Sequence, residues 1–130
     1  MLDTDICVFI LRRSSDTVLA RIQAVPVAQQ VMSVVSYAEL LYGVQLASKK
    51  KSNQAAVDAL MRLLAVLQWP KDAARHYAEI RADLKKKGSM IGANDLLIAA
   101  HARSLGAVVV TNNTRDFARV KGLRIENWAT

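Results

Sequence analysis

Four acidic residues, Asp3, Glu39, Asp95 and Asp116, fall in four separate segments, each at or near an expected strand end or helix start. Carboxylates brought close together repel one another, and no arginine in the chain is evidently dedicated to them. A hard divalent cation, Mg²⁺ or Mn²⁺, resolves that repulsion through oxygen ligands. Held by a few carboxylates, with water and phosphate in its other positions, such a cation can activate a water and stabilise a leaving oxygen. The chain carries 18 Lys and Arg against 11 Asp and Glu, a net charge of +7. Most of that excess lies away from the four acids, and an acidic pocket within a basic surface suits cleavage of a polyanion such as RNA.

Each acid also has a purely structural explanation. Ser36-x-x-Glu39 matches a capping box, and taken alone Glu39 is better explained by securing a helix start. Asp3 and Asp95 could sit at helix starts for the sake of the positive end of the dipole, and Asp116 could cap a short turn. Asp95, however, borders an almost wholly apolar helix, where an unpaired carboxylate is costly. The joint pattern favours a site over four independent caps.

The elements that would position these residues follow from periodicity. Residues 1–3 read as the end of a short strand, 4–13 as a helix and 15–24 as a second one. Residues 31–35 are apolar and β-branched, a buried strand, with a helix over 36–47 after it. A long amphipathic helix is expected over 52–67, and another from Pro70, at a first helical position, to Lys87 before Gly88. The segment 94–104 is helical and apolar nearly all round, hence deeply packed. Residues 107–111 form another apolar strand, and 123–125 a last one. Strands apolar on both faces and separated by helices predict an α/β fold with a mostly parallel sheet covered on both sides. Ligand sites in such sheets lie beyond the carboxyl ends of the strands, where the four acids fall.

The whole chain sets the bounds. Its 130 residues, 52% hydrophobic, suffice for one domain spanning 1–130, and two prolines and five glycines mark no linker. Cys7 is the lone cysteine, a small core residue by its neighbours, and no Cys or His spacing suggests zinc. Asp3 and Asp5 precede the first apolar stretch and Arg12 and Arg13 follow it, the reverse of an export signal. With no apolar run long enough for a membrane, a cytoplasmic protein is expected.

Four blocks carry a resemblance: Met1-Leu-Asp3-Thr4, Ser33-Val-Val-Ser-Tyr-Ala-Glu39-Leu-Leu-Tyr-Gly43, Ile91-Gly-Ala-Asn-Asp95-Leu-Leu-Ile-Ala-Ala-His101 and Val110-Thr-Asn-Asn-Thr-Arg-Asp116-Phe117. In this order, over a chain of this length, they resemble the PIN-domain ribonucleases, specifically the VapC toxins of type II toxin–antitoxin pairs. The resemblance implies a three-layer α/β/α fold and Mg²⁺-dependent endoribonuclease activity on a structured RNA such as a tRNA. It also implies a homodimer and a cognate VapB-type antitoxin that blocks activity. Asp3, Glu39 and Asp95 take the family's metal-ligand roles, with Asp116 completing the cluster. Thr111, Asn112 and Asn113 match the polar strand end, and Thr4 and Ser33 supporting positions. Two departures stand out. Asp5 occupies a position that is Asn in many relatives, as either a weak ligand or a helix start. The fourth acid, at the place of Asn113 in many PIN domains, is displaced here to Asp116, which leaves a second metal open.

Arg115, Arg119 and Arg124 lie near the Asp116 segment and are candidates for substrate phosphates. Lys49 to Lys51 and Lys85 to Lys87 read as solvated helix ends, the second suited to a helix carboxyl terminus. His76 and His101 have no partner at ligand spacing and are expected to be structural. Trp69, Trp128 and Tyr42 are better suited to the core or to a dimer surface than to base stacking. Other readings are a catalytically silent RNA- or partner-binding module of the same fold and a Mg²⁺-dependent DNA nuclease. A phosphoacceptor switch expects a lysine after a late strand, where Thr111-Asn112-Asn113 offers none, and no Gly-rich loop supports an NTPase.

Overall fold

The structure, a computed structural model, describes residues 1–130. In chain order the elements are α1 (Thr4–Arg12), α2 (Asp16–Ala24), a 3₁₀ turn (Val27–Gln29), β1 (Val31–Ser33), α3 (Val34–Leu46), α4 (Lys50–Leu63) and β2 (Ala65–Leu67). They continue with α5 (Ala73–Lys87), α6 (Ala93–Leu105), β3 (Val109–Val110), α7 (Thr114–Phe117) and β4 (Ile125–Glu126).

The strands are short and parallel. β1 pairs with β2, and β3 pairs with β4. The amino-terminal segment lies between the two pairs. Leu2 N–H donates to Val31 O at 2.8 Å on one side, while Asp3 N–H donates to Val110 O at 2.8 Å on the other. Neighbouring residues point to opposite faces, as a strand requires. Met1 and Val109 enter one core with Ile80, Leu84, Ile98 and Phe117, under α5 and α6. Leu2, Met32 and Val110 enter a second with Ile6, Val18, Val57 and Leu60, under α1, α2 and α4. The result is the three-layer α/β/α arrangement, with apolar strands because both faces are covered.

Several expectations are corrected in detail. The strand expected over 31–35 ends at Ser33, and α3 begins at Val34 rather than at Ser36. Ser33 is the cap, its hydroxyl accepting Val35 N–H at 3.1 Å. Ser36 is buried inside the helix with its Oγ unpartnered, so Ser36 and Glu39 form no capping box. The helix expected over 52–67 ends at Leu63, and its apolar tail is β2, whose residues pair with β1 in the register Val31 to Ala65. Pro70 opens a turn, its carbonyl accepting Ala73 N–H at 3.0 Å, and α5 starts only at Ala73. The run over 107–111 contributes a paired core of only Val109–Val110, and the last strand falls at Ile125–Glu126.

α6 matches its expectation closely: Leu96, Ile98, Ala99, Ala100, His101 and Ala102 are all buried. Its closest packing is against α5. Gly106, at φ 65°, ends α6 in the left-handed region that glycine enters without strain. Trp128 is buried, Trp69 donates its indole N–H to Leu97 O at 2.9 Å, and Tyr42 is 65% exposed. No helix is long and apolar enough to cross a membrane.

Candidate active site

Asp3 ends the amino-terminal segment and opens α1. It is 4% exposed, and its carboxylate accepts Thr4 N–H and the Thr111 hydroxyl, each at 2.8 Å. Thr111 directly follows β3, so both residues lie at carboxyl ends of neighbouring parallel strands. The Thr4 hydroxyl donates to Glu39 Oε1 at 2.7 Å, tying the second turn of α3 to the start of α1. Asp95, in the first turn of α6, and Asp116, on α7, are bridged by Asn113, whose amide donates to Asp116 Oδ2 at 3.1 Å and more weakly to Asp95 Oδ2 at 3.5 Å. The four predicted acids therefore belong to one hydrogen-bonded edge of the fold, linked by Thr4, Thr111 and Asn113.

The electrostatics show the mutual repulsion of this group. Burial, followed by the charge of Asp5, pushes the Asp3 carboxyl up to about 7, against the pull of its hydrogen bonds from Thr111 and Thr4. Burial and the charges of Glu39, Asp116 and Asp5 raise Asp95 to about 6. Arg119 lies 3.7 Å from Asp116 and also donates to Met90 O at 3.2 Å. The donors are all oxygen, the set a hard divalent cation prefers. No three of the acids already converge into a formed cage as the side chains stand.

The supporting positions sort unevenly. Thr111 is a buried hub, since its hydroxyl also accepts Asn113 N–H at 2.9 Å. Asn112 joins through its backbone, donating to Asp5 Oδ2 at 3.0 Å, while its side chain turns outward to Asn127 at 3.2 Å. Ser33 touches none of the acids and instead meets His101 Nδ1 at 2.8 Å. Arg115 is exposed beside Asp116. Arg124 lies at the other end of the strands, donating to Gly106 O at the carboxyl terminus of α6, remote from the acids.

Two residues gain weight from the structure. Asp5 is more than a helix-start acid: it straps α1 to the 111–113 segment and adds negative charge beside Asp3. Its doubtful signal in the sequence was being an acid two places from another acid. Gly92 opens the way into α6, and a Cβ there would stand 3.3 Å from Asp95 Oδ2, so its lack of a side chain leaves that carboxylate room. The textual Gly92-Ala-Asn-Asp95 gives no local hint of that approach.

Residues 1–123 match the PIN domain family. The chain is 39% identical over 129 residues to the tRNA(fMet)-specific endonuclease VapC of Shigella flexneri, covering 99% of this chain and 97% of that protein. It is 38% identical to Ribonuclease VapC2 of Haemophilus influenzae, over 98% and 96% of the two chains. Among solved structures, DNA-bound VapBC from Salmonella typhimurium superposes with a TM-score of 0.93 at 38% identity, covering 98% of this chain and 96% of that one. Because likeness in sequence and in three dimensions runs the length of both partners, the chain belongs to the PIN-domain family, within its VapC ribonucleases.

Proposed function

We propose that this nuclease is the toxin of a type II toxin–antitoxin pair, an endoribonuclease that cuts structured RNA, a tRNA first among candidates, with a bound divalent cation. The observation that carries the reading is the carboxylate group at the strand ends. Asp3 and Asp95 are both raised well above ordinary carboxyl values by burial and by neighbouring acids, with no cation of the chain placed to neutralise them. Asp3, Glu39, Asp95 and Asp116 would hold Mg²⁺ or Mn²⁺, with water and an RNA phosphate completing the shell. When bound, the cation supplies Lewis-acid activation of water and offsets charge at the phosphate.

The chain's own residues set the geometry for that chemistry. Thr4 holds the Glu39 carboxylate, Thr111 that of Asp3, and Asn113 those of Asp95 and Asp116. Arg115 and Arg119, beside Asp116, are placed to meet flanking phosphates. Arg124 is not assigned that role because it faces the opposite edge. Named relatives act on tRNA, and solved neighbours are toxin–antitoxin complexes, which supports a tRNA substrate and a VapB-type antitoxin for this chain. A homodimer is part of the proposal, supported by the exposed Tyr42 and Leu46 on α3. So is a cytoplasmic location, where tRNA is available.

The test is cleavage of total tRNA by purified protein with Mg²⁺, with EDTA, and by Asp95→Asn. Discrete fragments that require Mg²⁺ and vanish with the variant are expected. Equal binding of tRNA by both proteins, with no cleavage under Mg²⁺ or Mn²⁺, would replace catalysis with a binding role. Preferential cutting of single-stranded DNA would make the substrate assignment wrong.

A further inference from the structure

His101 is fully buried in the middle of α6, a helix otherwise packed through Leu, Ile and Ala side chains. Its Nδ1 meets Ser33 Oγ at 2.8 Å. That hydroxyl already accepts Val35 N–H at 3.1 Å as the cap of α3, so its own proton is free for the imidazole. Burial lowers the His101 pKa, which keeps the ring neutral, one nitrogen accepting and the other carrying a proton. Nε2 has no partner, and neither has the buried Ser36 Oγ, three residues along from Ser33 on α3. An apolar side chain at this position would exchange the unpaired Nε2 for an unpaired Ser33 hydroxyl proton, so hydrogen-bond satisfaction alone does not account for a histidine here.

The position of the pair does. Ser33 ends β1 and starts the helix that carries Glu39, and its place in the strand turns it toward the α6 layer, on the side of Val31. His101 stands on the helix whose first turn carries Asp95. The His101–Ser33 contact is the one hydrogen bond joining α6 to the corner between β1 and α3. α6 is anchored elsewhere by the Trp69 indole N–H on Leu97 O and by Arg103 on His76 and Glu79 of α5, but none of these bonds relates it to the segment that carries Glu39. A hydrogen bond to a capping hydroxyl has both direction and length.

We propose that His101, through Ser33, is a positioning residue that sets the separation of Glu39 and Asp95, and so the cation affinity of the site. The proposal rests on the cation-dependent reading above. Neither residue touches the carboxylates; each acts through the helix it belongs to.

The experiment uses the full chain and three variants, His101→Leu, His101→Asn and His101→Gln. Asn presents a polar group near the place of Nδ1, and Gln near that of Nε2. The readouts are Mn²⁺ affinity by calorimetric titration without RNA, kcat and KM for tRNA cleavage at fixed Mg²⁺, and the thermal midpoint. His101→Leu is expected to stay folded, to bind Mn²⁺ about tenfold more weakly, in the range seen when outer supports of a metal site are removed, and to lose kcat with KM unchanged. His101→Asn is expected to return both to within about twofold of wild type, and His101→Gln is not. Wild-type Mn²⁺ affinity and kcat in His101→Leu, whatever its midpoint, would overturn the proposal by leaving a purely structural role. Should His101→Leu fail to fold, equal behaviour of the Asn and Gln variants would overturn it as well. A wild-type chain that neither binds Mn²⁺ nor cuts RNA would remove the underlying reading, and the positioning role with it.

Discussion

At its carboxyl end α6 is closed by Gly106 and carries Arg103, which donates to Glu79 at 2.7 Å, to His76 at 2.9 Å and to the Lys121 carbonyl at 3.1 Å. A cation near a helix carboxyl terminus is favoured by the dipole, and Glu79 is held below the usual carboxylate range by its hydrogen bond from Arg75 and the charge of Arg103. At its amino end the same helix has no side-chain cap and carries Asp95 among Glu39, Asp116 and Asp5, its carboxyl raised to about 6. One end pairs its charges and secures the fold; the other holds like charges together. The contrast teaches that one helix can hold like charges together at one end when the rest of it carries the stability that end forgoes.

The comparison breaks most sharply at Asp95. Asp95→Asn is expected to reduce tRNA cleavage by at least about 100-fold while leaving the thermal midpoint of the cation-free protein at pH 8 unchanged or higher. Parallel cleavage and melting measurements check both halves. A melting loss larger than the activity loss would mean that Asp95 serves the fold.

Asp3 sharpens the same point through pH. Its carboxyl is pushed up to about 7 in the folded chain, from an ordinary value of 3.8. Between those values the native state binds more protons than the unfolded one, so cation-free stability falls as pH rises from about 4 to about 7. Asp3→Asn is expected to remove that loss, on the order of 1–3 kcal/mol at pH 8, allowing for the shared repulsion with Asp5. Urea midpoints at pH 5 and pH 8 measure it. Mn²⁺ should stabilise the wild type at pH 8 and leave the variant nearly unaffected.

At the other end of α6, Arg103→Ala is expected to lower the midpoint by about 3–6 °C with cleavage per folded molecule unchanged, since it removes several hydrogen bonds and a well-covered stem. A large fall in kcat would erase the division between the two ends. The smallest effect is expected from Asp5→Asn. An amide oxygen can still accept Asn112 N–H, so the strap survives while one negative charge leaves. Cleavage at saturating Mg²⁺ should change by less than about threefold, with a comparably small shift in the Mg²⁺ concentration needed. A tenfold or greater change would make Asp5 part of the cation site itself.

Much of this protein was legible along the chain. Strand and helix types follow from local periodicity, and the order of the acids, each beside an expected strand end or helix start, pointed to one edge of a parallel sheet. The Lys85 to Lys87 run at the end of α5 was legible for the same local reason: cations suit that end of a helix, and Lys87 pairs there with Asp83.

What tertiary structure alone decided involves partners distant in sequence. Ala65, Val66 and Leu67 continue the apolar pattern of the helix before them, and only pairing with Val31, Met32 and Ser33 makes them a strand. Ser33 rather than Ser36 caps α3 because the strand ends one place after Met32 enters the core, and no local motif reports where pairing stops. Arg124 is close to Asp116 in sequence yet emerges at the opposite end of the strands, because the chain must return there to run parallel to β3. Asp5 and His101 take their meaning from Asn112 and Ser33, each far away along the chain. Residue type and spacing specify local conformation and the chemistry available; which groups meet is set by the order and register of parallel strands, a property of the packed whole.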